Sequence, residues 1–381
     1  MIKLSRTITV SSFDASATVA VGRNRPEYLA VARLASDLNR PIGVDDVVGE
    51  LLGPLPTVLG KRVIERCVSL GLLDEKNDNK AELSEAGRRA LDHGEVLVPE
   101  EGVWRFFVVD DPLVPAALVH AQRLEAEPVW KERKAAKNAR DSGAARQQSE
   151  HPPSLLEDCC GDLPSMSVQD GHLIQLVELA NRGAAGPQGE MRLRLTWDDQ
   201  PSVYLSGRLA ESKQIDAAIE LPDVINQLSY ELLWKALVTH ATGVQSSELD
   251  RLRTVAGKLV VPAPFHPLPD TARRAFRRDI NVPESSWKGI GRFESTILKD
   301  IDLVPSTESE AQDWLDWLQW EGINDYVTPD LLEQKSLELR SKFPHNKPHA
   351  RSPHELLKIA LAAKDNQARF LLAPSDLGLW S

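Results

Sequence analysis

Between Lys131 and Glu150 the chain contains no Val, Ile, Leu, Met, Phe or Trp. Such a stretch cannot bury enough apolar surface to offset the entropy lost on ordering it. No core helix or strand is expected to pass through it, and Pro152-Pro153 closes it. Apolar cores are therefore expected on either side. Residues 125–167 read as a mobile linker, or as a charged helix that frays. With 42% hydrophobic and 27% charged residues, the 381-residue chain as a whole has a folded protein's composition. Its length suggests two or three domains.

Residues 1–22 read as two strands, since Ile8 and Val10, then Ala17, Val19 and Val21, alternate with polar neighbours. From Pro26 the period becomes helical, with Tyr28, Leu29, Ala32 and Ala35 on one face up to Asn39. A short helix follows at 44–52. A third is expected from Thr57 to Leu70, with Leu59, Val63, Cys67 and Leu70 as its inner face and Gly71 as a left-handed cap. A hairpin over 72–83 precedes a helix N-capped by Ser84. Residues 95–109 read as a second hairpin, turned at Pro99-Glu100-Glu101-Gly102.

Three short helices, a hairpin, then Leu83-Ser84-Glu85-Ala86-Gly87-Arg88-Arg89-Ala90-Leu91: this order resembles the winged helix-turn-helix superfamily over residues 26–92. The resemblance implies a third helix that enters the DNA major groove and a wing that touches the backbone. Lys61, Arg62 and Arg66 on the outer face would then contact phosphates or guanine edges. The segment holds nine basic against twelve acidic residues. Phosphate neutralisation dominates affinity for nucleic acid, so a module that docks protein instead of DNA stays open beside the DNA reading.

Beyond the linker, 172–180 and 190–197 read as strands joined through the Gly183–Gly189 loop, with 203–209 completing a meander. A long helix is expected over Asp223–Thr242, another over Ser247–Ala256, and an extended loop over Pro262–Pro269. Further helices are expected near 271–278, 309–321, 329–342 and 353–364. On the first of these, Arg273, Arg274, Arg277 and Arg278 would share one broad face, either as a phosphate-binding patch or paired with acids of the same fold. Such acids exist, because 300–334 holds ten carboxylates and no Lys, Arg or His. Within that segment Trp317 and Trp320 widen the apolar stripe of Trp314, Leu315 and Leu318, and read as a partner-binding surface or as core. The expected fold is α+β: an N-terminal winged-helix module in a domain over 1–124, a central antiparallel-sheet-plus-helix domain over 168–299, and a mostly helical C-terminal region over 300–381.

The chemistry-bearing motifs are few. No P-loop, His-Glu-x-x-His, Gly-x-Ser-x-Gly or paired Cys-x-x-Cys occurs. His345-Asn346-Lys347 lacks the later Asp of a phospholipase D signature, since Ser352 stands there. Prolines at 344, 348 and 353 break up any helical face of His345, His349 and His354, so neither a metal nor a cofactor is expected. Asp110-Asp111 and Asp198-Asp199 are the carboxylate pairs a nuclease-like site would use. Three cysteines without a framework suit a reducing cytoplasm. The first residues form no signal-peptide core, and no apolar run of membrane-spanning length is present. The net charge of -11 opposes coating of nucleic acid by the whole surface. The expectation is a non-enzymatic, nucleic-acid-binding or scaffolding subunit of a larger cytoplasmic assembly, with other protein subunits as partners and DNA or RNA as a further one. A winged-helix transcriptional regulator and a nuclease-like enzyme are the alternatives. The layout also resembles accessory subunits of prokaryotic multi-gene systems such as phage or plasmid defence, a likeness of architecture.

Overall fold

The computed structural model describes residues 1–76, 80–124, 150–209, 214–323, 328–363 and 370. The fold is α+β, and its sheets are antiparallel apart from one short parallel pair, Val261–Ala263 with Leu303–Pro305. No described helix is long and apolar enough to cross a membrane. The expected linker falls largely outside the described residues, since 125–149 are not among them. What flanks it belongs together. One compact unit comprises Ser5–Leu195 and Pro201–Ile225, and the other Met1–Leu4, Thr196–Gln200 and Asn226–Ser381. The chain thus divides near residue 225 rather than at 168.

The first unit is organised by β1 (Ile2–Arg23), a single strand where two were expected. The polar interruption at Ser11-Ser12-Phe13-Asp14 looks like a turn but stays in register. The Ser12 hydroxyl donates to the Pro187 carbonyl at 2.7 Å, and Asp14 accepts two 2.7 Å bonds from Arg105 on the neighbouring strand. That neighbour, β4 (Val96–Val108), is likewise one strand rather than a hairpin. Pro99 sits opposite Ala20, and the pairing of β4 with β5 (Leu118–Arg123) begins only at Trp104. The proline therefore lies where β4 is an edge, the place a sheet tolerates a missing N–H.

β1 and β4 pair from Ser11↔Val108 to Arg23↔Val96. Everything between Arg23 and Val96 is therefore an excursion from the end of this strand pair. It contains α1 (Pro26–Leu38), α2 (Val44–Val47), a π-helical turn (Val48–Leu52), α3 (Thr57–Ser69), the hairpin β2 (Leu73–Glu75) and β3 (Ala81–Leu83), and α4 (Glu85–His93). The chain itself opens on the long strand, not on these helices.

On the other edge of β1 lies β7 (Leu173–Ala185), paired from Val21↔Ile174 to Phe13↔Ala185. β8 (Gly189–Trp197) also neighbours β1, so the glycine loop joins two strands on one edge and makes no hairpin. β9 (Pro201–Gly207) and β10 (Ile215–Ile219) continue the sheet outward. β6 (Ser165–Met166) pairs β7 and curls back to β5, where Val168 N–H donates to the Val119 carbonyl at 3.0 Å. Phe13, Val19, Trp104, Phe106, Leu118, Ile174 and Leu176 fill the enclosed core, with Leu156 from the short helix α5 (Ser154–Asp158).

The long helix expected at 223–242 is a turn, α6 (Asp223–Asn226), where the first unit ends, followed by α7 (Tyr230–Thr242) in the second. The break comes at Ser229, whose hydroxyl accepts from Leu232 N–H at 3.2 Å as an N-cap. α8 (Ser246–Ala256), β11 (Val261–Ala263) and α9 (Asp270–Ala275) follow. Next come β12 (Arg277–Val282), the two-stranded β13 (Ser285–Trp287) and β14 (Gly291–Phe293), and β15 (Thr296–Pro305). β12 and β15 pair antiparallel, and α10 (Glu308–Glu321), α11 (Pro329–Arg340) and α12 (Pro353–Ala363) complete the described part. Trp314 of α10 is fully buried, stacked on Phe276 with centroids 4.6 Å apart.

Candidate partner-docking site

The helical excursion has its own core of Val31, Ala35, Ile42, Val47, Ile64, Cys67, Leu72, Leu73, Ala81 and Ala90, to which Val96 at the base of β4 adds. Its geometry is set by close approaches. A Cβ on Gly60 of α3 would lie 2.8 Å from a methyl of Val48, so this glycine lets the π-turn press against α3. A Cβ on Gly87 of α4 would lie 2.2 Å from the Leu72 carbonyl oxygen, which brings α4 onto the base of the hairpin. Ser84 caps α4 as expected, accepting from Gly87 N–H at 2.8 Å. Burial pushes the Cys67 thiol up to about 12, so it is an inert core group.

The inner face of α3 is Gly60, Ile64 and Cys67, rotated from the expected face. Leu59 points outward, and so do its apolar neighbours. Leu51 is 40% exposed, Leu55 47%, Val58 59% and Leu59 40%. These four side chains fall within nine consecutive residues, in a stretch with no Lys or Arg. Gly53, at φ 59° and ψ −131°, turns the chain between the π-turn and Pro54-Leu55-Pro56. That backbone conformation is open to glycine and strained for other residues. The nearest charges before the run are acidic, and Lys61 and Arg62 follow it on α3. Asp45 and Glu50 are exposed, while Asp46 is held below the usual carboxylate range by its 2.6 Å bond to Arg40.

The sequence-predicted cationic face of α3 is present, and one of its three cations faces a carboxylate. Lys61 lies 3.8 Å from Glu65, Arg66 contacts the Ser69 hydroxyl at 3.4 Å, and Arg62 is exposed. A groove of about 290 Å³ between α3 and the hairpin is lined by Lys61 and Lys80, by Glu65 and Glu75, and by apolar residues beneath them. On the hairpin, Lys76 pairs with Glu82 at 2.6 Å. Residues 77–79 lie outside the described part.

The four arginines of the second expected site do not share a helix face. α9 ends at Ala275, Phe276 takes a left-handed conformation at φ 51°, and Arg277 and Arg278 lie on β12. Arg273 donates to the Phe265 and His266 carbonyls and lies 4.3 Å over the Phe265 ring. Arg274 makes a bidentate pair with Glu321 at 2.6 and 2.8 Å, and Arg277 pairs with Asp302 at 2.7 Å. Lys258 also reaches Asp302 at 2.8 Å. Acids of 300–334 therefore take two of the four arginines.

Trp317 and Trp320 are half-buried within their own unit. Trp317 packs edge-on to Phe265 with the Arg273 and Arg274 guanidinium groups above it, and Trp320 packs against the core of Ile323, Leu332 and Leu356. Of the carboxylates a nuclease-like site would use, Asp111 is bonded to Arg6 at 2.5 Å, both side chains being 9% exposed, and it accepts from Leu113 N–H. Among the described residues no group of three or more His, Cys, Asp or Glu side chains is placed to hold a metal ion.

One feature went unread in the sequence. His120 and Ser167, 3% and 1% exposed, are joined Nδ1 to Oγ at 2.8 Å. Burial lowers the His120 pKa, so the imidazole is neutral at pH 7. Nothing in the local sequence marks a histidine and a serine 47 residues apart as partners.

Comparison with protein-family models, with curated proteins and with solved structures finds no match to this chain.

Proposed function

We propose that this chain is a non-enzymatic scaffolding subunit that docks a partner protein through a winged-helix-like module at residues 26–92. The observation that carries this reading is the exposed apolar run Leu51, Leu55, Val58 and Leu59. Large apolar side chains scattered singly over a surface need no explanation, whereas four exposed within nine residues are grouped as in an interaction site. The order of three helices, hairpin and capped helix supports the winged-helix part of the reading. The charge of the whole module, nine basic against twelve acidic residues over 26–92, favours protein over nucleic acid as the ligand. A phosphate backbone is bound by an excess of cations; the module as a whole has none, and Lys61 and Lys76 each have a carboxylate partner, which leaves Arg62 and Arg66 as the cations the DNA arm must test.

The test compares the wild type with a Leu55→Asp, Val58→Asp variant. Both positions are exposed, so the thermal midpoint should hold while capture of co-purifying subunits from the native source falls at least tenfold. Titration of labelled duplex DNA at several salt concentrations is the second arm. Unchanged capture would overturn the reading. So would DNA binding whose salt slope flattens when Lys61, Arg62 and Arg66 are neutralised.

A further inference from the structure

β10 ends the large sheet, and among the described residues no backbone hydrogen bond joins its outer edge to another segment. Natural sheets blunt such edges with lysine, proline, a bulge or a covering element. β10 has neither Lys nor Pro, its pairing with β9 runs without a bulge, and its one charge, Asp216, is bonded to Arg194. The edge borders a cleft of about 430 Å³. Ala217, Ala218, Ile219 and Glu220 all line it. Side chains at successive strand positions point to opposite faces, so three strand residues in a row, with Glu220 just beyond the strand, show that the edge itself, and neither face of the strand, forms this wall. The opposite wall comes from 114–116, Leu118, Val119 and 165–168, and it is largely apolar. Its polar members already have partners, Ser167 in His120 and Ser165 in the Leu118 carbonyl, so the cleft does not call for a polar ligand.

We propose that this cleft takes an extended segment of a partner protein, about five residues long, which adds as a strand to the outer edge of β10. Main-chain hydrogen bonds to β10 would hold it, and alternate side chains would enter the cleft, as in recognition by strand addition. The cleft asks for small or branched apolar residues at every second position. Glu220, the one charged residue among those lining it, asks for a Lys or Arg facing it. The chain's own residues 131–150 lack the bulky apolar side chains needed to fill the site. This inference rests on the sheet and stands independently of the helical module.

The experiment selects displayed random octapeptides on the immobilised full chain and measures the winners by fluorescence polarisation. The expected winners alternate Val, Ile or Leu with polar residues and carry Lys or Arg. Ala218→Trp, which fills the cleft from an exposed position, should weaken them at least tenfold. A second arm leaves the protein untouched and N-methylates the peptide at alternate residues. One phase should lose at least tenfold and the other little, because alternate N–H groups of an added strand face its neighbour. The proposal is overturned if no alternating peptide is enriched, if Ala218→Trp binds the winners as well as wild type, or if both methylation phases are tolerated. It is also overturned if the chain sediments as a dimer that Ala218→Trp dissociates, which would make a second copy the occupant.

Discussion

Replacing Arg6 by Met would strand a carboxylate. Arg6 on β1 and Asp111 just beyond β4 meet at 2.5 Å with 9% of each side chain exposed. Removing one member of a buried pair leaves an uncompensated charge and costs about 3–5 kcal/mol. Leu113 N–H would still donate to Asp111 at 2.9 Å, which places the expected loss near the lower figure, about 3 kcal/mol. The double variant Arg6→Met, Asp111→Leu removes both charges, and replacement of a buried pair by apolar residues is often neutral or stabilising. It should recover most of the loss. The assay is urea unfolding of the full chain followed by a probe in the first unit, with both single variants and the double variant closing a mutant cycle. A cost below about 1 kcal/mol for Arg6→Met would mean a solvated pair. It would then refute Asp111 as a structural partner of β1 and reopen it as a carboxylate free for chemistry.

Three further outcomes follow from the same packing. Gly87→Ala should destabilise the helical module toward the upper end of about 1–3 kcal/mol, because its Cβ meets the Leu72 carbonyl at 2.2 Å; thermal melts check this. Trp317→Ala should lower folded stability by about 2 kcal/mol, roughly half the cost of deleting a fully buried tryptophan, and an unchanged melt would return that side chain to the interaction surface. The depressed pKa of His120 has a definite sign. The unfolded chain binds the proton more readily, so this residue's contribution is complete above the unfolded value of about 6.5 and fades as pH falls below it. Stability measured from pH 7 to 5 should therefore fall less steeply in His120→Gln than in wild type, and equal slopes would show that the ring is solvated.

The helices of the excursion were legible in the sequence because their signals are local. Ser84 as a cap, Gly71 after α3 and the 3.6-residue period fix them within a few residues. Strand partnership is not local. The alternation of β1 and β4 reads correctly residue by residue, yet Ser11–Asp14 and Pro99–Gly102 imitate turns unless the opposing strand is known. The apolar-free stretch at 131–150 was read as separating cores, but residues 173–185 return to pair with β1, because a core is closed by contacts and not by chain continuity. Helical spacing also put Arg273 to Arg278 on one face, and the left-handed Phe276, a conformation rare for an aromatic residue, ends that helix early. The docking run was hidden for a related reason. Leu59 fits the apolar period of α3, and only the position of Gly60 against Val48 turns it outward.

The central claim is that Leu51 to Leu59 form a protein-docking surface. Amide hydrogen exchange over residues 48–62, compared between the isolated full chain and the assembly purified from its native source, tests it most directly. Exchange there should slow by at least tenfold in the assembly, while the outer face of α3 at Arg62 and Arg66 changes little on adding duplex DNA. Unchanged exchange over 48–62 in an assembly that protects some other surface, or protection of α3 by DNA alone, would contradict the account.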